Sequence, residues 1–192
     1  MKRFYFDTET TGFPAKEGTP LDQCPFIVQI AAILVDDEHG EMASLNFIIK
    51  PDGWTIGEDV AAIHGISTER AEAFGIPSRV AMAAFSQLCR QADQVVAHNI
   101  SFDLKLVTYE VNRAKAPHVI ADKQQFCTMD ATTDICKLPG RYPGKFKWPK
   151  LIEAHQHLFG EGFDGAHDAL VDVRACQRIH KYLIQNKLTP LT

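Results

Sequence analysis

The sequence predicts an α/β fold, a mixed β-sheet covered by α-helices. Three observations predict it. Three β-rich runs with short connections lead the chain, which predicts an antiparallel start. Helical patterns alternating with short apolar strands follow. A long amphipathic helix closes the chain, near residues 168–186.

The elements follow in order. Residues 3–7, Arg-Phe-Tyr-Phe-Asp, read as a short buried strand ending on an acid. Residues 26–35 are a longer β-rich run, Phe-Ile-Val-Gln-Ile-Ala-Ala-Ile-Leu-Val. The polar stretch from Asp36 to Glu41 reads as a turn. Ser44 to Lys50 read as a third strand, stopped by Pro51-Asp52-Gly53. Ser67 or Thr68 can cap a short helix that runs through Phe74 and stops at Gly75. A second helix spans about 78–92, with Ala81, Ala84, Phe85 and Leu88 on one face. Gln94–Ala97 reads as a short strand. Helices are expected at 101–114, near 129–137 and near 149–158. The last helix turns Ala169, Leu170, Val173, Cys176 and Leu183 inward. The Gly- and Pro-rich stretch 138–148 reads as a loop, not a boundary, so one domain over 1–192 is expected.

With 45% apolar residues, a chain of 192 has ample material for a core. No stretch approaches the roughly 20 apolar residues of a membrane span. The N-terminus does not look like a signal peptide, so a cytoplasmic location and no membrane partner are expected. The five cysteines include no CxxC pair, which argues against a disulfide framework or a zinc site. Cys89 and Cys176 read as small core residues.

A net charge of −4 is an awkward sign for a nucleic-acid binder. Its distribution matters more. Lys137, Arg141, Lys145, Lys147 and Lys150 form a basic segment with no acid inside it. Without those five charges the rest of the chain would carry −9. Clustered acids on such a body suit divalent cations, which would reverse the local field.

Three short segments hold the candidate chemistry. In Phe6-Asp7-Thr8-Glu9-Thr10-Thr11-Gly12, Asp7 and Glu9 stand at i and i+2 on a strand end and share a face. Two carboxylates in apolar surroundings are costly unless a cation lies between them. The alternative is a polar turn. In His98-Asn99-Ile100-Ser101-Phe102-Asp103, the last residue falls in the first turn of a helix. A carboxylate is favoured there by the helix dipole, so Asp103 either caps the helix or serves a site. In His167-Asp168-Ala169-Leu170-Val171-Asp172, His167 and Asp172 would differ by about 140° on a continuous helix. If His167 lies on the preceding loop, it can swing toward a site that Asp172 faces. Taken alone it is a surface histidine, and Asp168 is a capping acid.

Taken together, these segments resemble the DEDDh, or DnaQ-like, exonuclease family of the ribonuclease H-like superfamily. Phe-Asp-Thr-Glu-Thr-Thr-Gly, His-Asn-x-x-Phe-Asp and His-x-Ala-x-x-Asp match its three motifs in order. The likeness runs over essentially the whole length, and the histidine separates this branch from the tyrosine one. It implies a ribonuclease H-like sheet, three antiparallel strands and then parallel strands, flanked by α-helices. It implies a 3′→5′ exonuclease, a hydrolase of phosphodiesters that releases nucleoside monophosphates from a free 3′ end. It assigns Asp7, Glu9, Asp103 and Asp172 to a site for two Mg²⁺ or Mn²⁺ ions roughly 3.5–4 Å apart. His167 would take the proton from the attacking water.

The resemblance also brings Thr10, Thr11 and Gly12 to the terminal nucleotide, with Asn99 as a further candidate. It makes Ile63-His64-Gly65-Ile66 a loop near the 3′ end, with His64 a substrate contact. Phe13 and Phe102 read either as base-stacking aromatics or as core. Lys145 and Lys147 are expected to meet phosphates, and Trp148 to anchor their loop to the core. Single-stranded DNA is the expected substrate. The alternatives are RNA 3′ trimming of the RNase T or oligoribonuclease kind, and an idle nucleic-acid-binding subunit. A polymerase partner finds no long C-terminal tail to tether it.

Overall fold

The computed structural model describes residues 1–189. Five strands form one mixed sheet: β1 (Lys2–Thr10), β2 (Ile27–Asp36), β3 (Gly40–Ile48), β4 (Gln94–Ala97) and β5 (Gln124–Cys127). Their order is β3-β2-β1-β4-β5, antiparallel from β3 to β1 and parallel from β1 to β5. The predicted α/β architecture is therefore the observed one. Among the described residues seven α-helices accompany the sheet, besides one 3-10 turn at Leu21–Gln23: α1 (Glu58–His64), α2 (Thr68–Phe74), α3 (Ser78–Cys89), α4 (Ile100–Ala114), α5 (Thr128–Cys136), α6 (Leu151–Phe159) and α7 (Ala169–Gln185). No helix among the described residues is long and apolar enough to cross a membrane.

Every residue of β2 is buried, because helices cover both faces of the sheet. The alternation of β1 sorts its side chains between those faces. Phe4 and Phe6 pack with Phe85 of α3 and with Leu106 and Val107 of α4. Tyr5 goes the other way, against Ala169, Val173 and Cys176 of α7. Odd positions of β1 thus face α7, and even positions face α3 and α4.

Several boundaries differ from expectation. Strand β1 runs on to Thr10, so Asp7 and Glu9 lie within it, paired opposite Ala31 and Gln29. Strand β3 starts at Gly40 and ends at Ile48. The segment expected as a loop around His64 is helix α1, with His64 its last residue and left-handed Gly65 (φ 71°) closing it. No side chain caps its start at Gly57, and it lasts only seven residues. Strand β5, Gln-Gln-Phe-Cys, is too short and polar to stand out.

Trp148 does not anchor its loop, since it is 69% exposed. The buried anchor is the next residue, Pro149, whose carbonyl accepts from His98 Nε2 at 2.9 Å. The loop closes on itself instead. Gly140 N–H donates to Lys145 O at 2.9 Å and Lys147 N–H to Leu138 O at 3.0 Å.

Candidate active site

The site grows from the alternation of β1. Asp7 and Glu9 continue the odd face toward α7, and Asp172 comes from the first turn of that helix. Thr8 continues the even face toward α4, where its hydroxyl donates to Asp103 Oδ1 at 2.7 Å. Parallel pairing of β4 with β1 ends β4 at Ala97 and delivers α4 to the same end of the sheet. The turn between them needs a left-handed residue, and Asn99 (φ 65°) provides it, a conformation Asn tolerates better than most. The carboxyl end of parallel strands is where α/β sheets place their ligands.

The start of α7 is fixed from three sides. His167 lies on the preceding loop in the left-handed region (φ 70°), and its N–H donates to Asp172 Oδ2 at 3.2 Å. Asp168 is the cap, accepting from Leu170 N and Val171 N. Gln29 of β2 bridges helix to sheet. Its Nε2 donates to Asp168 Oδ2 and its Oε1 accepts from Ala169 N, each at 3.3 Å. Donor atoms of Glu9, His167 and Asp172 consequently lie within 4.8 Å of one another.

Electrostatically this cluster is uncompensated. No Lys or Arg forms an ion pair with Asp7, Glu9, Asp103 or Asp172 among the described residues. Burial first, and then the charges of Asp103, Asp172, Glu9 and Asp168, push the Asp7 carboxyl well above its usual range. Burial, then Asp172 and the other neighbouring acids, raises Glu9 to about 8. Burial raises Asp103 to about 7 despite the Thr8 hydrogen bond. Asp172 rises to about 6, again through burial, with the His167 N–H opposing. Asp172 Oδ1 is buried without any hydrogen-bond partner. Acceptor-only groups, mutually repelling and one of them orphaned, fit a hard divalent cation with oxygen ligands.

Beside the acids runs a groove of about 150 Å³, whose lining includes Thr10, Gly12, Phe13, Ile63, His64 and Phe102. Four of the expected substrate residues, Thr10, Gly12, His64 and Phe102, therefore share one wall system. His64 Nδ1 accepts from Ile66 N–H at 3.2 Å, and its buried Nε2 has no partner. Phe13 is 87% exposed and meets Phe102 edge-on at 6.2 Å. Thr11 is turned elsewhere, its hydroxyl accepting from Phe26 N–H at 2.9 Å. Asn99 accepts from Ser101 Oγ at 3.3 Å and does not line the groove. Lys145 and Lys147 sit on the separate loop, and Lys147 is paired with Glu153. Sequence reasoning missed Thr8 and Gln29, because their partners lie far along the chain.

A larger cavity, about 480 Å³, lies between Phe26, Trp54, Pro77 and Glu110 and shares no residue with the acid cluster. Its buried acid, Glu110, already has partners. Arg113 Nη1 donates to it at 2.6 Å, as does Ser78 Oγ at 2.6 Å. This satisfied pair is architecture rather than a reaction site.

A family model described as an exonuclease, RNase_T, matches residues 4–179. The uncharacterized exonuclease CP81 of Escherichia phage 186 is 29% identical over 178 residues, which is 90% of this chain and 82% of that protein. Among solved structures, E. coli exonuclease I with a dT13 oligonucleotide superposes with a TM-score of 0.76 at 22% identity, over 97% of this chain and 42% of that one. The zinc-bound complex of E. coli exonuclease I with single-stranded DNA gives 0.74 at 23% identity, with the same coverage of both chains. The chain thus spans about 42% of the length of these structures, and the likeness establishes a shared fold.

Proposed function

The chain belongs to the RNase_T exonuclease family of DEDDh-type hydrolases, and from that premise we propose that it is a two-metal 3′→5′ exonuclease acting on single-stranded DNA. The observation that carries the proposal is the cluster of four acids without a protein cation, with His167 beside it. Divalent-metal dependence comes with the family. Asp7, Glu9, Asp103 and Asp172 would hold Mg²⁺ or Mn²⁺, which when bound supplies charge to the scissile phosphate and the leaving 3′ oxygen.

The remaining steps belong to the protein's own residues. His167, exposed and next to Glu9 and Asp172, accepts the proton of the attacking water. Thr8 holds Asp103 in its orientation, and Gln29 holds the start of α7 against β2. His64 Nε2, protonated because Nδ1 is an acceptor, offers a donor to the terminal nucleotide in the groove, beside Thr10 and Gly12. Phe102 gives that nucleotide an apolar wall.

Preference for single-stranded DNA draws support from E. coli exonuclease I, whose structures hold dT13 and dA16 oligonucleotides. The proposal covers residues 1–192 as one exonuclease domain. Five free cysteines suit a reducing compartment, and the proposed location is the cytoplasm. Digestion of matched 5′-labelled DNA and RNA, single- and double-stranded, with Mg²⁺ or Mn²⁺ tests the reading. A ladder shortening from the 3′ end, a resistant circular strand and faster loss of single-stranded DNA are expected. Rapid cutting of the circle would overturn it.

A further inference from the structure

The loop from Leu138 to Lys150 presents an unusual surface. Tyr142, Phe146 and Trp148 are 66, 42 and 69% exposed. Large aromatics uncovered within so short a segment cost hydration free energy unless something covers them. The loop is built rather than loose. Besides its two closing backbone bonds, Pro139 and Phe146 form an antiparallel bridge, and Lys145 N–H donates to Tyr142 O at 3.1 Å. Its base is fixed at Pro149 by His98, whose Nδ1 in turn lies 2.9 Å from the Thr128 hydroxyl. His98 ends the segment after β4 and immediately precedes the turn into α4, which carries Asp103. The base of the loop is therefore fixed to the segment that leads from β4 into α4.

Charge identifies what covers the rings. Of the four cations on this segment, Lys147 alone forms an ion pair among the described residues, with Glu153. The charged side chains of Arg141, Lys145 and Lys150, and of the neighbouring Lys137, form no ion pair there. The Arg141 guanidinium lies 5.8 Å from the centre of the Tyr142 ring, a cation beside an aromatic face. Flat apolar faces interleaved with unpaired cations match a polymer with flat faces and a regular negative charge. Single-stranded nucleic acid has both features, whereas a duplex keeps its base faces stacked inside.

We propose that this loop is a stacking platform, on which bases of a single strand lie against Trp148 and Tyr142 while unpaired cations meet the phosphates. The platform rests on the exonuclease reading only in that the strand it holds would be the one being digested. It makes strandedness a property of the loop, separate from the chemistry at the acids.

Binding measured in EDTA separates the two, because no hydrolysis is needed. The probes are a long oligothymidylate and a blunt duplex of equal length. The variants are Trp148→Ser, Tyr142→Ser and their combination, all at exposed positions. Each lost stacking contact should weaken oligothymidylate binding between about 5- and 150-fold, with its salt slope unchanged. Duplex binding should hold. In a Trp54→Phe background, oligothymidylate should quench the remaining fluorescence of Trp148. Hydrolysis of a dinucleotide in Mn²⁺ should match that of the unaltered chain. Wild-type oligothymidylate affinity in the double variant would overturn the proposal. So would an equal loss of duplex binding, or a fluorescence change that appears only with chain concentration, which would mark a surface for a second copy. If the unaltered chain fails to cleave any 3′ end yet shows the binding pattern, the exonuclease reading falls and the platform stands.

Discussion

Helix α4 carries two buried acids, Asp103 and Glu110, and the protein treats them in opposite ways. Glu110 is met by the Arg113 guanidinium, the Ser78 hydroxyl and the Ile27 N–H. Arg113 spends its other donors on the carbonyls of Leu21, Cys24 and Pro25, so the pair ties the segment before β2 to the helix. Asp103 receives only the neutral Thr8 hydroxyl from a side chain, and it faces other acids. Removing a carboxylate from water costs several kcal/mol unless an opposite charge compensates. At Glu110 the chain supplies that charge itself. At Asp103 it does not, and the deficit is shared with Asp7, Glu9 and Asp172. A buried acid thus reads as architecture or as chemistry according to where its counter-charge comes from.

Neutralising each acid in turn is the strongest way to break this comparison. Asp103→Asn should remove hydrolysis of a labelled strand, while the thermal midpoint in EDTA holds or rises. Glu110→Gln should do the reverse. It leaves the Arg113 charge buried without its partner, so denaturant titration should show a loss of about 3–5 kcal/mol, with activity per folded molecule retained. A stable Glu110→Gln chain, or an active Asp103→Asn one, would dissolve the distinction.

The next effect is on His167, which lies beside Glu9 and Asp172. His167→Ala should lower single-turnover hydrolysis by about 10²–10⁴-fold, with strand binding unchanged. Turnover equal to the unaltered chain would return His167 to a loop residue.

A pH series sharpens the comparison further. Glu9, Asp103 and Asp172 have folded pKa values raised to about 8, 7 and 6. The folded chain therefore holds more protons than the unfolded one above the usual carboxylate range. Stability without metal should be greatest near pH 4, to the extent these groups decide it, and should fall as pH rises toward 8. A Mn²⁺ ion bound to the folded cluster and not to the unfolded chain would flatten that decline. A melting midpoint in EDTA that does not fall between pH 5 and 8 would count against uncompensated acids.

The smallest effect concerns Asp168, an acid of the architectural kind inside the chemical neighbourhood. Asp168→Ala should cost about 1 kcal/mol of stability through the lost cap. A collapse of activity as large as that of Asp103→Asn would move Asp168 across the line.

The sequence showed most of this division, though not its causes. Asp7 and Glu9 share a face as their i, i+2 spacing placed them, although β1 runs past both to Thr10, and Asp103 and the His167–Asp172 pair lie at the starts of α4 and α7 as their spacing placed them. Thr8 and Gln29 escaped notice since a hydroxyl or an amide reveals its partner only after β1 meets α4 and β2 meets α7. The i,i+3 pair Glu110–Arg113 was not read from the sequence, and its burial depends on the loop that Arg113 gathers. Trp148 was expected to anchor its loop, and the neighbouring Pro149 does so instead, through a carbonyl contact to His98 that no local pattern reveals. Helix α1 and strand β5 were too short for their periodicity to register.

Strand β1 opens the chain and α7 follows β5 and every other strand, yet they meet directly. During synthesis at about 5–20 residues per second, roughly 8–30 s separate the appearance of Asp7 from that of Asp172. Through that interval the nascent chain holds its first acids without the helix that carries Asp172. The β1–β2 hairpin can form early, since its contacts are local in sequence, whereas docking of α7 closes the longest loop in the site. The docking of α7, which brings Asp172 to Asp7 and Glu9, therefore waits until the whole sheet has been made.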